Sequence, residues 1–123
     1  MKFKMDKKEK GGFFELIAEE YLKRNKYKII ERNFYTKKGE IDIIAEKNNV
    51  LIFIEVRSKK GEDIKGYETV DFKKKKNIIE SAKIYLESKN LTNKKDVRFD
   101  VISINFNDEE ITIEHIEDAF REE

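Results

Sequence analysis

The chain has 123 residues, 38% hydrophobic and 43% charged, with a net charge of +1, enough for one domain around one modest core. The absence of cysteine excludes disulfides, iron–sulfur clusters and thiolate zinc sites, and a single histidine, His115, argues against an imidazole metal site, so a catalytic metal would be held by oxygens, as Mg²⁺ or Mn²⁺ are. No apolar run nears the ~20 residues of a transmembrane helix, and the basic lead-in Met1–Lys10 lacks the apolar stretch of a signal peptide, so the expectation is a cytoplasmic protein without a membrane partner.

Gly11-Gly12 closes the lead-in. From Phe13 to about Asn25 the apolar residues Phe14, Ile17, Ala18, Tyr21 and Leu22 recur at helical spacing and predict a helix with one buried stripe. Lys28–Asn33 reads as a short strand and Thr36–Gly39 as a turn. Glu40–Glu46 (EIDIIAE) and Val50–Arg57 (VLIFIEVR) read as strands joined by the hairpin loop Lys47-Asn48-Asn49. The second of these is nearly continuous in apolar residues, which predicts a central strand covered on both faces. Ser58–Gly66 reads as a polar loop. A long helix follows from about Val70 to Lys89, with Ile78, Ile79, Ala82, Tyr85 and Leu86 on one face. Val97–Phe106 and Glu110–His115 are strands, and Glu117–Arg121 is a candidate for a last short helix. The order predicts an α/β fold, a mixed sheet of about five strands flanked by helices, as a single domain over 1–123. Residues 106–123 hold eight acids and one base, a charge of −7, so residues 1–105 carry +8. A basic body with an acidic tail suits a polyanionic partner such as a nucleic acid; a solvated Lys/Glu surface explains the same numbers.

The chemistry is concentrated where charge interrupts the two central strands. Residues two apart share a strand face. Glu40 and Asp42 therefore project from one side, with Ile41, Ile43 and Ala45 on the other, and Glu55 shares a face with Arg57. In a hairpin centred near Asn48, Asp42 comes opposite Glu55. Two close carboxylates repel one another, and a partly hydrated divalent cation relieves that repulsion and can activate water. Arg57 beside them is suited to a scissile phosphate. A simple hairpin salt bridge from Asp42 or Glu40 to Arg57 is the competing reading. On a helical wheel Glu15 lies about 20° from Leu22, at the edge of the apolar stripe, from where it can add a third carboxylate or remain a solvated glutamate. Lys74 and Lys75 precede Ile78 and Ile79 by one helical turn, so at least one of them should lean toward the sheet as a phosphate contact, against the alternative of a solvated lysine run. Lys37-Lys38, Lys59-Lys60 and Lys94-Lys95-Arg98 extend the candidate nucleic-acid footprint. His115 reads as a surface or strand-end residue without a catalytic role.

Gly39-Glu40-Ile41-Asp42, twelve residues and then Glu55-Val56-Arg57 are similar to the PD-(D/E)xK nuclease signature. More narrowly, the chain from about Gly11 to Phe120 resembles the YraN-type family of small bacterial proteins related to archaeal Holliday-junction resolvases. The resemblance is carried by Glu15-Leu16-Ile17-Ala18 with Tyr21-Leu22, by Arg32-Asn33, by Gly39–Ala45, by Phe53–Arg57, and by Lys74, Arg98-Phe99-Asp100-Val101 and Ala119-Phe120. It implies a restriction-endonuclease-like fold, Asp42 and Glu55 as ligands of Mg²⁺ or Mn²⁺, and Glu15 assisting them, with Glu40 open to a supporting position or to solvent. It also implies a homodimer, since the related resolvases are dimers; Lys74, which is part of the match, and Lys75, Lys59 and Lys38 are the lysines expected toward DNA. Arg57 stands where the superfamily usually has lysine, which removes a general base from that position. Phe14 stands where the family often has glycine. The expectation is a Mg²⁺-dependent endonuclease on branched DNA in recombination or repair; the alternative is a binding module that keeps the fold without turnover.

Overall fold

Strands that are apolar on both faces need a layer of cover on each side, and this chain has two amphipathic helices to supply it. The computed structural model describes residues 7–61 and 71–122, with side chains from residue 12 onward. In chain order the elements are α1 (Lys7–Arg24), β1 (Lys28–Thr36), β2 (Gly39–Lys47), β3 (Val50–Lys60), α2 (Phe72–Ser88), β4 (Asp96–Phe106) and β5 (Ile111–Phe120). The five strands form one sheet in the order β1-β2-β3-β4-β5. β3 and β4 run parallel, with α2 between them in sequence, and the other neighbours are antiparallel. This is the expected mixed-sheet α/β architecture, consistent with a restriction-endonuclease-like fold.

β3 is the middle strand, and Leu51 to Ile54 are almost completely buried. Alternation sends its side chains to two cores. Ile52 and Ile54 join Ile43, Ala45, Ile102 and Ile104 beneath Phe14, Ala18 and Leu22 of α1. Leu51 and Phe53 join Ile44, Phe99 and Val101 beneath Ile78, Ala82 and Tyr85 of α2. The β2–β3 turn is set by two consecutive left-handed residues, Asn48 (φ 52°) and Asn49 (φ 64°). Both asparagines tolerate this conformation, and the resulting tight turn matches the strand twist. It pairs Lys47 with Val50 and Ile43 with Ile54.

Several elements depart from the sequence expectation. Gly11-Gly12 lies inside α1 and does not close a lead-in. β1 continues to Thr36, and Ser58–Lys60 extend β3 where a loop was expected, because the parallel ladder to β4 runs on to Lys60 opposite Phe106. The rest of that expected loop, residues 62–66, lies outside the described residues, as do residues 1–6 of the basic lead-in. Glu117–Phe120 belong to β5 and form no helix. Between Ile116 and Phe120 the strand bulges, with Asp118 at φ 53° and its N–H donating to Asp100 Oδ1 at 2.9 Å. So short a segment gains little from helix formation, whereas the bulge returns Phe120 to the core, stacked on Phe99 at 5.2 Å. No helix among the described residues is long and apolar enough to cross a membrane.

Candidate active site

The hairpin register brings two carboxylates together where the strands part. The backbone pairing of β2 with β3 ends at Ile43 and Ile54, and one step further in the same register Asp42 faces Glu55. There the Val56 N–H has no β2 carbonyl to reach and donates to Asp42 Oδ2 at 2.8 Å. The side chain thus fills the vacated rung of the ladder. The expected alternation fails at this point. Ile41 packs in the α2-side core with Ile44, while Ile43 and Ala45 pack beneath α1. Ile41 therefore does not share a face with Ile43.

Glu40, Asp42 and Glu55 line a groove of about 310 Å³ together with Gly39, Asp71, Lys73, Lys74, Asn77 and Ile78. Glu55 is only 5% exposed. Burial, then the hydrogen bond to Glu55 and the Glu55 charge, push the Asp42 carboxyl far above the usual carboxylate range, against the opposing pull of the Val56 N–H. The ionised form of Asp42 is thus disfavoured beside Glu55. The positive charge that does reach Glu55 comes from Lys74, whose Nζ lies 2.8 Å from Glu55 Oε2. Asp71 caps α2 by accepting from the Lys74 N–H at 2.8 Å, which fixes the root of that lysine. The other wall is pinned by Thr36, whose hydroxyl is 2.8 Å from that of buried Ser81 and accepts from the Lys38 and Gly39 N–H groups. Gly39 lies so close to α2 that a Cβ there would sit 3.2 Å from Asn77 Cβ.

Glu15, on α1, does not line this groove but is near enough to feel its charges. Burial, and then the charges of Glu40 and Glu55, raise its carboxyl, opposed by a hydrogen bond to Asn33 and by the Arg32 charge. Its Oε1 is buried without a hydrogen-bond partner. Among the described residues no three His, Cys, Asp or Glu side chains are gathered tightly enough to cage an ion unaided. Arg57, two residues after Glu55, makes no ion pair with Glu40 or Asp42 among the described residues, and its Nη1 is buried without a hydrogen-bond partner. The hairpin salt bridge is therefore replaced by the Lys74–Glu55 pair. Lys75 points the other way, its Nζ 6.0 Å from the centre of the Phe120 ring. Lys38 is exposed on the β1–β2 turn, and Lys59 is half-buried on β3 beyond Arg57. Sequence reasoning passed over Asp71 and Asn77, and met Lys73 only as the first residue of the lysine run. Asp71 was legible as an N-cap before the lysine run, and Asn77 as one turn beyond Lys73 and Lys74.

A sequence profile of the Uncharacterised protein family UPF0102 matches residues 14–104. The chain belongs to the UPF0102 family. It is 43% identical over 117 residues to a UPF0102 protein of Sulfurihydrogenibium sp. (strain YO3AOP1), covering 94% of this chain and 97% of that one. A Persephonella marina UPF0102 protein is 47% identical over 113 residues, covering 90% and 92%, and one from Clostridium beijerinckii is 44% identical over 117 residues, covering 93% and 94%. This is the YraN-type family that the motifs resemble, and the UPF0102 match contains Glu15, Asp42, Glu55, Arg57 and Lys74.

The UPF0102 chain holds a second buried acid on its α1 face, which sequence reasoning missed. Asp100 is completely buried. It accepts from Arg98 Nε and Nη2, both at 2.8 Å, and from the Asp118 N–H, and it lies 2.7 Å from His115 Nε2. Tyr21 OH lies 2.9 Å from His115 Nδ1, and Arg98 also donates to Tyr27 OH at 3.1 Å. Burial raises Asp100, but the hydrogen bonds from His115, Arg98 and Asp118 outweigh it and hold the carboxyl below its ordinary value. His115 is thus neither a surface nor a strand-end residue: its side chain is 7% exposed in mid-β5. Arg98 is committed to Asp100. The only sequence signal was a lone histidine in an alternating strand, which does not reveal a partner fifteen residues away.

Proposed function

We propose that this UPF0102 protein is a Mg²⁺- or Mn²⁺-dependent endonuclease acting on DNA, with branched or flapped molecules of recombination and repair as substrates. The observation that carries the reading is Asp42 facing buried Glu55 at the floor of a lysine-lined groove, with the Asp42 carboxyl pushed up by burial and by Glu55. A carboxyl pair in this condition is stabilised by a divalent cation, and an oxygen-only donor set fits Mg²⁺ or Mn²⁺. Asp42 and Glu55 would hold the ion, with Glu15 approaching from α1. When bound, such an ion supplies charge for a phosphate oxygen and lowers the pKa of its water.

The remaining roles fall to the chain's own groups. Arg57, with a buried unpartnered Nη1, is suited to hold the scissile phosphate, since a guanidinium stays charged and cannot serve as the base. Lys74, Lys73 and exposed Lys38 present charge to the flanking phosphates. A junction cut on two strands needs two such sites, which a homodimer supplies. The competing reading is a nucleic-acid-binding module without turnover. One observation favours it: Lys74 already neutralises Glu55. Cleavage of labelled Holliday-junction, flap and linear duplex DNA with Mg²⁺ or Mn²⁺ separates the two. The nuclease reading predicts metal-dependent cutting that disappears in Asp42→Ala with Glu55→Ala. Binding that is salt-sensitive and indifferent to Mg²⁺, with no cutting, supports the module. Cutting retained in the double variant contradicts the site.

A further inference from the structure

We infer that Lys74 is an exchangeable internal cation, which holds Glu55 in the resting protein, yields that carboxylate to a divalent ion and turns to a phosphate of the bound nucleic acid. The inference rests on the reading of Asp42–Glu55 as a cation site. A carboxylate 5% exposed needs a positive partner, and Lys74 provides it at 2.8 Å. The contact is incomplete, because Glu55 Oε2 is buried yet receives no properly directed hydrogen bond. Lys74 itself is 52% exposed at the side chain and opens on the groove beside Lys73 and Asn77. Its backbone N–H is tethered to Asp71 while its four-carbon stem is free to turn. The head group can therefore leave Glu55 without disturbing the helix. An ammonium and a divalent ion placed at one carboxylate contend for the same oxygen, so Lys74 lowers the affinity of the empty site and then supplies its charge to the substrate.

The test is Mn²⁺ titration followed by electron paramagnetic resonance on the full chain and on Lys74→Met and Lys74→Arg. Removing the competing charge is expected to tighten Mn²⁺ binding about tenfold in Lys74→Met, the worth of one charge-assisted contact, while Lys74→Arg stays at or below the parent affinity. With Ca²⁺ present, Lys74→Met is expected to bind duplex DNA more weakly, with a salt slope shallower by about one. Mn²⁺ bound by the parent chain but no tighter by Lys74→Met overturns the exchange and leaves the cation site standing. Mn²⁺ bound by neither overturns both. A readout on the unmodified chain covers misfolding of the variant: acetylation of Lys74, followed by mass spectrometry, is expected to rise when Mg²⁺ is added. Equal acetylation with and without Mg²⁺ overturns the exchange.

Discussion

Asp100 of β4 and Glu55 of β3 belong to adjacent strands and are both buried, one facing α1 and the other α2. Asp100 is surrounded by donors from Arg98, His115 and the Asp118 backbone, and its carboxyl is held below the ordinary range. Glu55 is met by Lys74 and its neighbour Asp42 by the Val56 N–H, and the Asp42 carboxyl is pushed far upward. The same sheet therefore contains a finished ion cluster and an unfinished one. A buried acid with all its acceptor capacity used ties elements together, here α1, β4 and β5. Two facing acids served by one lysine and one backbone N–H cost stability, and a cation held between them would offset that cost.

The largest effect that sharpens this contrast is expected at the finished cluster. Asp100→Ala strands Arg98 and His115 in the interior and should cost about 3–5 kcal/mol in denaturant unfolding; a loss under 1 kcal/mol would remove Asp100 from its structural role. At the unfinished site the sign reverses. A carboxyl raised in the folded state binds more protons there than in the unfolded chain, so its contribution is present below the ordinary value of 3.8 and is lost as pH rises toward the raised one. Asp42→Asn should therefore flatten the decline in stability above pH 4 and raise the metal-free Tm at alkaline pH by about 5 °C, equivalent to ~1 kcal/mol in a domain of this size. An unchanged pH profile would break the comparison. Asp71→Ala removes the cap beneath Lys74 and should cost ~1 kcal/mol by thermal unfolding. The smallest effect is expected at exposed Lys38: Lys38→Ala should leave Tm unchanged and make the salt slope of DNA binding shallower by about one.

The acid pair was legible in the sequence because its geometry is local. Two asparagines fix the turn, the turn fixes the register, and the register places Asp42 against Glu55 by counting along two strands. The cover on both faces of β3 was legible for a similar reason, in the uninterrupted Leu51–Ile54 run. The Asp100 cluster was not, since it draws on α1, β4 and β5 and depends on a bulge that no single residue announces. The same bulge hid the end of β5, where Glu117–Phe120 carries no strand alternation. Ile41 was assigned to the wrong face because strict alternation assumes an unbroken ladder, and the ladder breaks beside Asp42. Lys74 was legible as a lysine facing the sheet, but its choice of Glu55 over solvent required the third dimension.

Whether Asp42 and Glu55 hold a divalent cation is read from the thermal midpoint of the chain as a function of Mg²⁺ concentration, measured beside Asp42→Asn. A ligand that binds only the folded state stabilises it by about 2.7 kcal/mol at one hundred times its dissociation constant. A cation held by this pair predicts a midpoint that climbs with the logarithm of Mg²⁺ concentration in the parent chain and stays flat in Asp42→Asn. A midpoint indifferent to Mg²⁺ in both, or climbing equally in both, would contradict it.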